Sequence, residues 1–152
     1  MFMQRWMVVL MLTLMTGVAH ADSKLSVEAG WVRWVPPVTG NSAAYFTLHN
    51  EGDSDKVLVA AESAVAKAVE LHTVVQEGEL MRMQPLQKLA VPAHDCVVFQ
   101  PGSHHVMLIG LTQPLQEGQS VAMTLRFADG ETLPLTLTVT NGASADDHAH
   151  HH

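Results

Sequence analysis

AVELHTVVQEGELMRMQPLQKLAVPAHDCVVFQPGSHHVMLIGL, residues 68–111, carries both the fold and the chemistry of this chain. Its β-branched and apolar runs are cut by turn residues, which reads as a series of short strands. The arms on either side of Gln76-Glu77-Gly78-Glu79 predict a hairpin with a two-residue loop at Glu77-Gly78. That register sets His72 directly opposite Met83, each five positions from the turn, so both project from one face. His105 and Met107 are i and i+2 on an apolar run and share a face in a strand. Three strands thereby bring two imidazoles and two thioethers together, in the pattern H-x10-M-x21-H-x-M. Such a soft, neutral donor set suits Cu(I) far better than Zn(II), Mg(II) or Ca(II).

Outward from this stretch the strand pattern continues. Residues 25–35 read as a first strand stopped by Pro36-Pro37, and residues 43–48 as a second, closed by Asn50-Glu51-Gly52-Asp53. A third covers 56–61. Residues 64–68 have helical propensity but run into the β-branched arm at His72, so a long strand with a bulge or crossing is expected there. Residues 85–91 read as a connection with a short strand, 96–99 and 104–111 as strands, and 119–127 and 132–140 as a pair around the Asp129-Gly130 turn. Short strands with turn signals between them predict an all-β antiparallel sandwich with Greek-key connections.

The chain has 152 residues. Residues 1–21 combine Arg5, an apolar run from Trp6 to Val18 and the small-x-small site Ala19-His20-Ala21, the layout of a secretory signal peptide. Their apolar core is short for a membrane span, so no anchor is expected after cleavage. The mature chain is then residues 22–152, long enough for one domain with its own core and too short for two. Cleavage removes one of the eight Lys/Arg and none of the fifteen Asp/Glu, leaving a formal charge of −8. That charge argues against nucleic acid and anionic membrane surfaces and favours a cation as cargo. Cys96 is the single cysteine, so no intramolecular disulfide forms, and a site built on thioethers suits an oxidising compartment.

The residues from 141 onward change to Asn, Gly, Ser, Ala, Asp and His and read as a disordered tail ending in His148-Ala149-His150-His151-His152. Its imidazoles and carboxylates form a secondary metal site favouring Cu(II), Ni(II) or Zn(II). A tag is the other reading of that tract. Among the remaining residues, Met81 is expected to share Met83's face as a hydrophobic contact or spare ligand, opposite Val74. His104 is expected at the surface, His49 and His94 solvated beside turns, and Cys96 buried as a small hydrophobe.

Beyond the four ligand positions, the chain resembles the periplasmic copper chaperones of the PCu(A)C family. The likeness rests on the His/Met spacing together with VRWVPPVTGNSAAYFTLHNEGD (residues 32–53), VELHT, MRMQP, VPA and FQPGSHHVMLIGL. It covers nearly all of residues 22–140. Thr73 stands where many members carry a Met after the first His, a position that is optional in the signature. The resemblance implies a cupredoxin-like β-sandwich that holds Cu(I) through His72, Met83, His105 and Met107. It further implies a periplasmic metallochaperone delivering copper towards the CuA site of cytochrome c oxidase subunit II, with a Sco-type protein as co-worker. Periplasmic sequestration or resistance without a dedicated acceptor is the alternative, and a metal-free interaction module the blandest one.

Catalysis is not expected, because no nucleophile arrangement is evident. A blue-copper centre needs a thiolate close to its histidines, whereas Cys96 and His104 are separated by seven residues.

Overall fold

The computed structural model describes residues 24–142. They form ten strands: β1 (Leu25–Arg33), β2 (Asn41–Asn50), β3 (Lys56–Glu62), β4 (Ala66–Glu77), β5 (Leu80–Leu86), β6 (Leu89–Val91), β7 (Asp95–Phe99), β8 (His105–Leu111), β9 (Ser120–Phe127) and β10 (Thr132–Thr140). No helix occurs among the described residues. The expected leader and most of the expected tail, including His148, His150, His151 and His152, lie outside them.

Alternation explains the strands. In β9, Val121, Met123, Leu125 and Phe127 are buried while the residues between them face outward, the period-two pattern of a sheet with one dry face. β10 places Leu137 and Val139 inward between threonines. Pro134 sits within β10, opposite Thr124 of β9, where β1 has not yet joined the other edge. A residue without an N–H is tolerated at such a half-paired position. The turn at Asp129-Gly130 closes the pair, with Gly130 at φ 91° and its N–H donating to the Phe127 carbonyl at 3.0 Å.

The hydrogen-bonded order is β5-β4-β8-β2-β1-β10-β9-β3-β6, with β7 also on β2. This path folds over so that Val32, Phe46, Leu48, Leu71, Val106 and Leu108 of one layer meet Leu58, Val121, Met123, Leu125 and Leu137 of the other in one core. All pairings are antiparallel except β1 with β10, which is parallel and departs from the purely antiparallel expectation. The cause lies in β1. Its register on β2 shifts between Glu28 and Trp31, where Ala29 adopts φ 55°. Past that bulge β1 gains β10 as a second neighbour. A Cβ on Gly30 would stand 2.3 Å from Leu137 Cδ2, so any larger residue there would have to push the Leu137 side chain aside.

β4 answers the ambiguous segment before His72. It is one strand from Ala66, in unbroken register with β8 from Ala66↔Leu111 to His72↔His105. β2 is shared: residues 41–44 pair with β8 and residues 46–50 with β7. The four strands β5, β4, β8 and β2 therefore lie side by side. Their inner face is core, and their outer face presents the polar and sulfur-bearing residues.

Candidate metal centre

On β8, alternation sends Val106 and Leu108 into the core at 0 % exposure and turns His105 and Met107 to the other face. Ladder pairing fixes what lies beside them. His72 is directly opposite His105, and Glu70 directly opposite Met107, on β4. Ala43 is opposite Met107 on β2, and Tyr45, two residues on, places its ring 6.4 Å from that of His105. The two imidazole centroids stand 5.6 Å apart.

Met83 arrives by a register different from the expected one. Glu77 pairs with Leu80, so the loop is Gly78-Glu79, Met83 stands opposite Val74, and His72 stands opposite Pro85. The reason is the turn: Gly78 at φ 64° is the first loop residue, and Glu79 does not share its left-handed conformation. This is the Gly-first, type II′ arrangement rather than a glycine-second one. The displacement along β4 is two residues, so the face is preserved and Met83 becomes a diagonal neighbour of His72, at a spacing of about 7–8 Å that a long side chain spans. Met81 shares that face but stands opposite Gln76, not Val74. Met83 is 63 % exposed, in contrast to His105 at 3 %.

The hydrogen bonds of the imidazoles define which nitrogens are free. His105 Nδ1–H donates to the Ser103 carbonyl at 3.1 Å, leaving Nε2 as the lone-pair nitrogen. His72 Nε2–H donates to the Glu70 carboxylate at 2.8 Å, leaving Nδ1. His105 Nε2 and His72 Nδ1 are both buried and have no partner in the protein. A buried acceptor without a partner costs about 1–3 kcal/mol, and two beside a pair of thioethers are suited to a soft cation. Among the described residues no three His, Cys, Asp or Glu side chains converge as a harder ligand set.

Three neighbours of the cluster, Glu70, Tyr45 and Arg33, were not singled out in the sequence, and of these only Glu70 is bonded to a cluster imidazole. Glu70 had a signal: it is i−2 from His72 and so shares its face on a strand. Tyr45 and Arg33 had none, since only the β1–β2–β8 register brings them near. A carboxylate holding a ligating histidine fixes its tautomer, and losing such a partner costs about 10–100-fold in metal affinity. Glu70→Ala is accordingly expected to weaken Cu(I) binding by about 10–100-fold with the fold intact, read by competition titration beside circular dichroism. Unchanged affinity would show that Glu70 does not hold His72.

Burial pushes the His105 imidazole below the ordinary histidine value of 6.5, against the opposing pull of its bond to Ser103. The unfolded chain takes up this proton near pH 6.5 while the folded chain still resists it. Stability due to neutral His105 is therefore present above pH 6.5 and declines as pH falls from there towards the depressed value. Urea unfolding of the apo protein should show a falling midpoint from pH 7 to 5, and His105→Gln should flatten that slope. Equal slopes in both proteins would contradict it.

Other expectations are corrected. His104 is not a bare surface residue: its ring lies 5.9 Å from Phe99 and its Nδ1 is buried. Cys96 is exposed rather than buried, because β7 is bonded to β2 on one side and Cys96 stands on the outer face opposite His49. It is on the half of β2 away from β8, outside the His/Met cluster. His94 is exposed, as expected, and His49 half-buried; each is engaged by a carboxylate, Glu28 on His49 at 2.7 Å and Asp53 on His94 at 2.8 Å.

Fold and cluster together define a class: cupredoxin-like β-sandwiches with an imidazole–thioether group on the outer face of the sheet. The chain belongs to the LpqE-like family, that of the PCuAC domains, whose profile matches residues 25–143. A Leifsonia xyli protein, Lxx21020, is 32 % identical over 124 residues, covering 81 % of this chain and 74 % of its own. DR1885 of Deinococcus radiodurans is similar in two solution structures. The apo form is 32 % identical with a TM-score of 0.62, over 93 % of this chain and 98 % of that one. The Cu(I) form is 35 % identical with a TM-score of 0.64, over 82 % and 85 %. The copper-bound PCuAC domain of PmoF2, at 22 % identity and TM-score 0.66 over 79 % of this chain and 95 % of that domain, shares the fold.

Proposed function

We infer that the protein is a copper chaperone that holds Cu(I) through His72 Nδ1, His105 Nε2 and the sulfurs of Met83 and Met107. The observation carrying this reading is the pair of buried, partnerless imidazole nitrogens on the face that also bears both thioethers. The Cu(I) form of DR1885 supports it at 35 % identity. All four donors are neutral, so the ion keeps its single charge and remains exchangeable towards a stronger acceptor. Thioethers hold the +1 state and do not titrate, and the imidazoles bind only when neutral.

The acceptor in this reading is the CuA site of cytochrome c oxidase subunit II, directly or through a Sco-type protein, and the compartment is the periplasm. Catalysis forms no part of it. The test is transfer: Cu(I)-loaded protein mixed with the apo subunit II domain and a Sco-type protein should load two Cu(I) into that domain faster than free copper under the same chelator, read as the purple centre after one-electron oxidation by added ferricyanide. Failure of transfer with tight Cu(I) binding intact would favour sequestration.

A secondary role for the tail rests on its composition and on the position of Gly142, from which it leaves the fold. A Cβ on Gly142 would lie 3.6 Å from Trp31 Cη2, and Trp31 packs against Tyr45 at 4.7 Å on the site-bearing face. His148 follows six residues later, a reach of up to about 20 Å. We assign to His148, His150, His151 and His152 the capture of Cu(II), which passes to the core as Cu(I) once an external reductant such as ascorbate has supplied one electron. Deleting residues 143–152 should lower total copper stoichiometry and slow uptake from Cu(II) plus reductant; unchanged values would remove the tail from the account.

A further inference from the structure

A cavity of about 250 Å³ opens beside the metal centre, bounded by Arg33, Tyr45, Met83, Gly102, His105 and Met107. It reaches three of the four proposed ligands and leaves His72 outside its walls. Its lining is mostly apolar, with one full charge. Arg33 is exposed, stacks its guanidinium over the Tyr45 ring at 5.5 Å, and among the described residues forms no ion pair. The other arginines described are bound: Arg82 to Glu77 at 3.3 Å and Arg126 to Glu62 at 2.8 Å. In a chain of formal charge −7, this leaves a cation at the mouth of the cavity next to a site for another cation, where it contributes nothing favourable to holding the ion.

Its position makes sense for a visitor. A donor that enters the cavity to remove a soft ion is itself soft, and an unpaired guanidinium at the mouth favours one that is anionic. Among protein side chains the donor that is both soft and anionic is the cysteine thiolate. Met83, the most exposed of the four donors and the one carried on the edge strand β5, is the ligand placed to leave.

We propose that the Arg33 cavity is the entry port for the thiolate of a copper acceptor, which binds Cu(I) there while Met83 is displaced. In this step a sulfur–copper bond to the thiolate forms and the Met83 sulfur–copper bond breaks. Copper stays in the +1 state, no electron moves, and the thiol proton has already gone to solvent. The proposal rests on the Cu(I) reading above and names the chemistry of its acceptor.

The experiment uses the full mature protein loaded with one equivalent of Cu(I) without oxygen, as wild type, Arg33→Gln and Arg33→Lys. Each is mixed at fixed pH with reduced glutathione or with a neutral methionine-rich peptide, and the copper retained after timed desalting is measured. Arg33→Gln should slow transfer to glutathione by roughly tenfold, the low end of electrostatic steering, and remove the attractive part of its ionic-strength dependence, leaving only the salt-screened repulsion between anionic glutathione and a negatively charged chain. Arg33→Lys, which keeps the charge, should stay near wild type. Transfer to the neutral peptide should be the same in all three, as should the equilibrium Cu(I) affinity. Equal slowing with both acceptors, or no slowing with either, overturns the entry port while leaving the cuprous site standing. Absence of Cu(I) binding in the wild type overturns both.

Discussion

His105→Ala is expected to lower Cu(I) affinity by at least about 100-fold, since removing a direct donor exceeds the 10–100-fold range for outer partners. His105 is the anchor of the cluster: 3 % exposed, held by Ser103, faced by His72 across the ladder and backed by Tyr45. Its Nε2 is buried and has no partner in the protein. Met83→Leu keeps the apolar volume and removes only the sulfur. Because Met83 is 63 % exposed, its ordering on binding offsets part of its contribution, and a smaller loss of about tenfold is expected. Competition with a chromogenic Cu(I) chelator, on protein lacking the His-rich tail, measures both. Indifference to both substitutions would mean that the His/Met spacing does not mark a site. A larger loss for Met83→Leu than for His105→Ala would overturn the ranking by burial.

Phe46→Ala is the substitution with the largest expected effect on stability, about 3–5 kcal/mol. Phe46 is 1 % exposed, stacks on Phe99 at 4.5 Å and sits in β2 where that strand changes partner from β8 to β7. Domain stabilities are about 5–15 kcal/mol in total, so the loss takes the protein close to its threshold. Urea unfolding should show a lower midpoint with an unchanged slope. Copper affinity of the folded fraction should change little, because Phe46 faces the core and the His/Met cluster faces away. A loss below about 1 kcal/mol would contradict the packing described, given the 3–5 kcal/mol usual for buried Phe→Ala.

The His/Met cluster was legible because chemistry and periodicity agree there: His105 and Met107 at i and i+2 share a face in any strand, and β4 and β5 had clear apolar runs with a glycine between. The hairpin register was not, since Glu-Gly-Glu admits loops on either side of Gly78 and the choice depends on a left-handed glycine coming first. The error did not remove Met83 from the site, because a two-residue displacement preserves the face. Glu70 was legible in principle from its spacing to His72. The parallel β1–β10 pair was hidden, since a bulge at Ala29 and a close approach at Gly30 leave only one small residue as their trace. Cys96 and His104 were misplaced for a common reason: alternation assigns two faces but does not say which is covered. The outer face of β7 is open, whereas the side of His104 is packed against Phe99.

Cu(I) held through two nitrogens and two sulfurs has a direct signature: copper K-edge X-ray absorption on the tail-deleted protein loaded with Cu(I) measures that shell. The expected spectrum has a cuprous edge and a first shell of two imidazole nitrogens and two thioether sulfurs, losing sulfur in Met83→Leu. A shell of nitrogen and oxygen alone, unchanged in Met83→Leu, would contradict it.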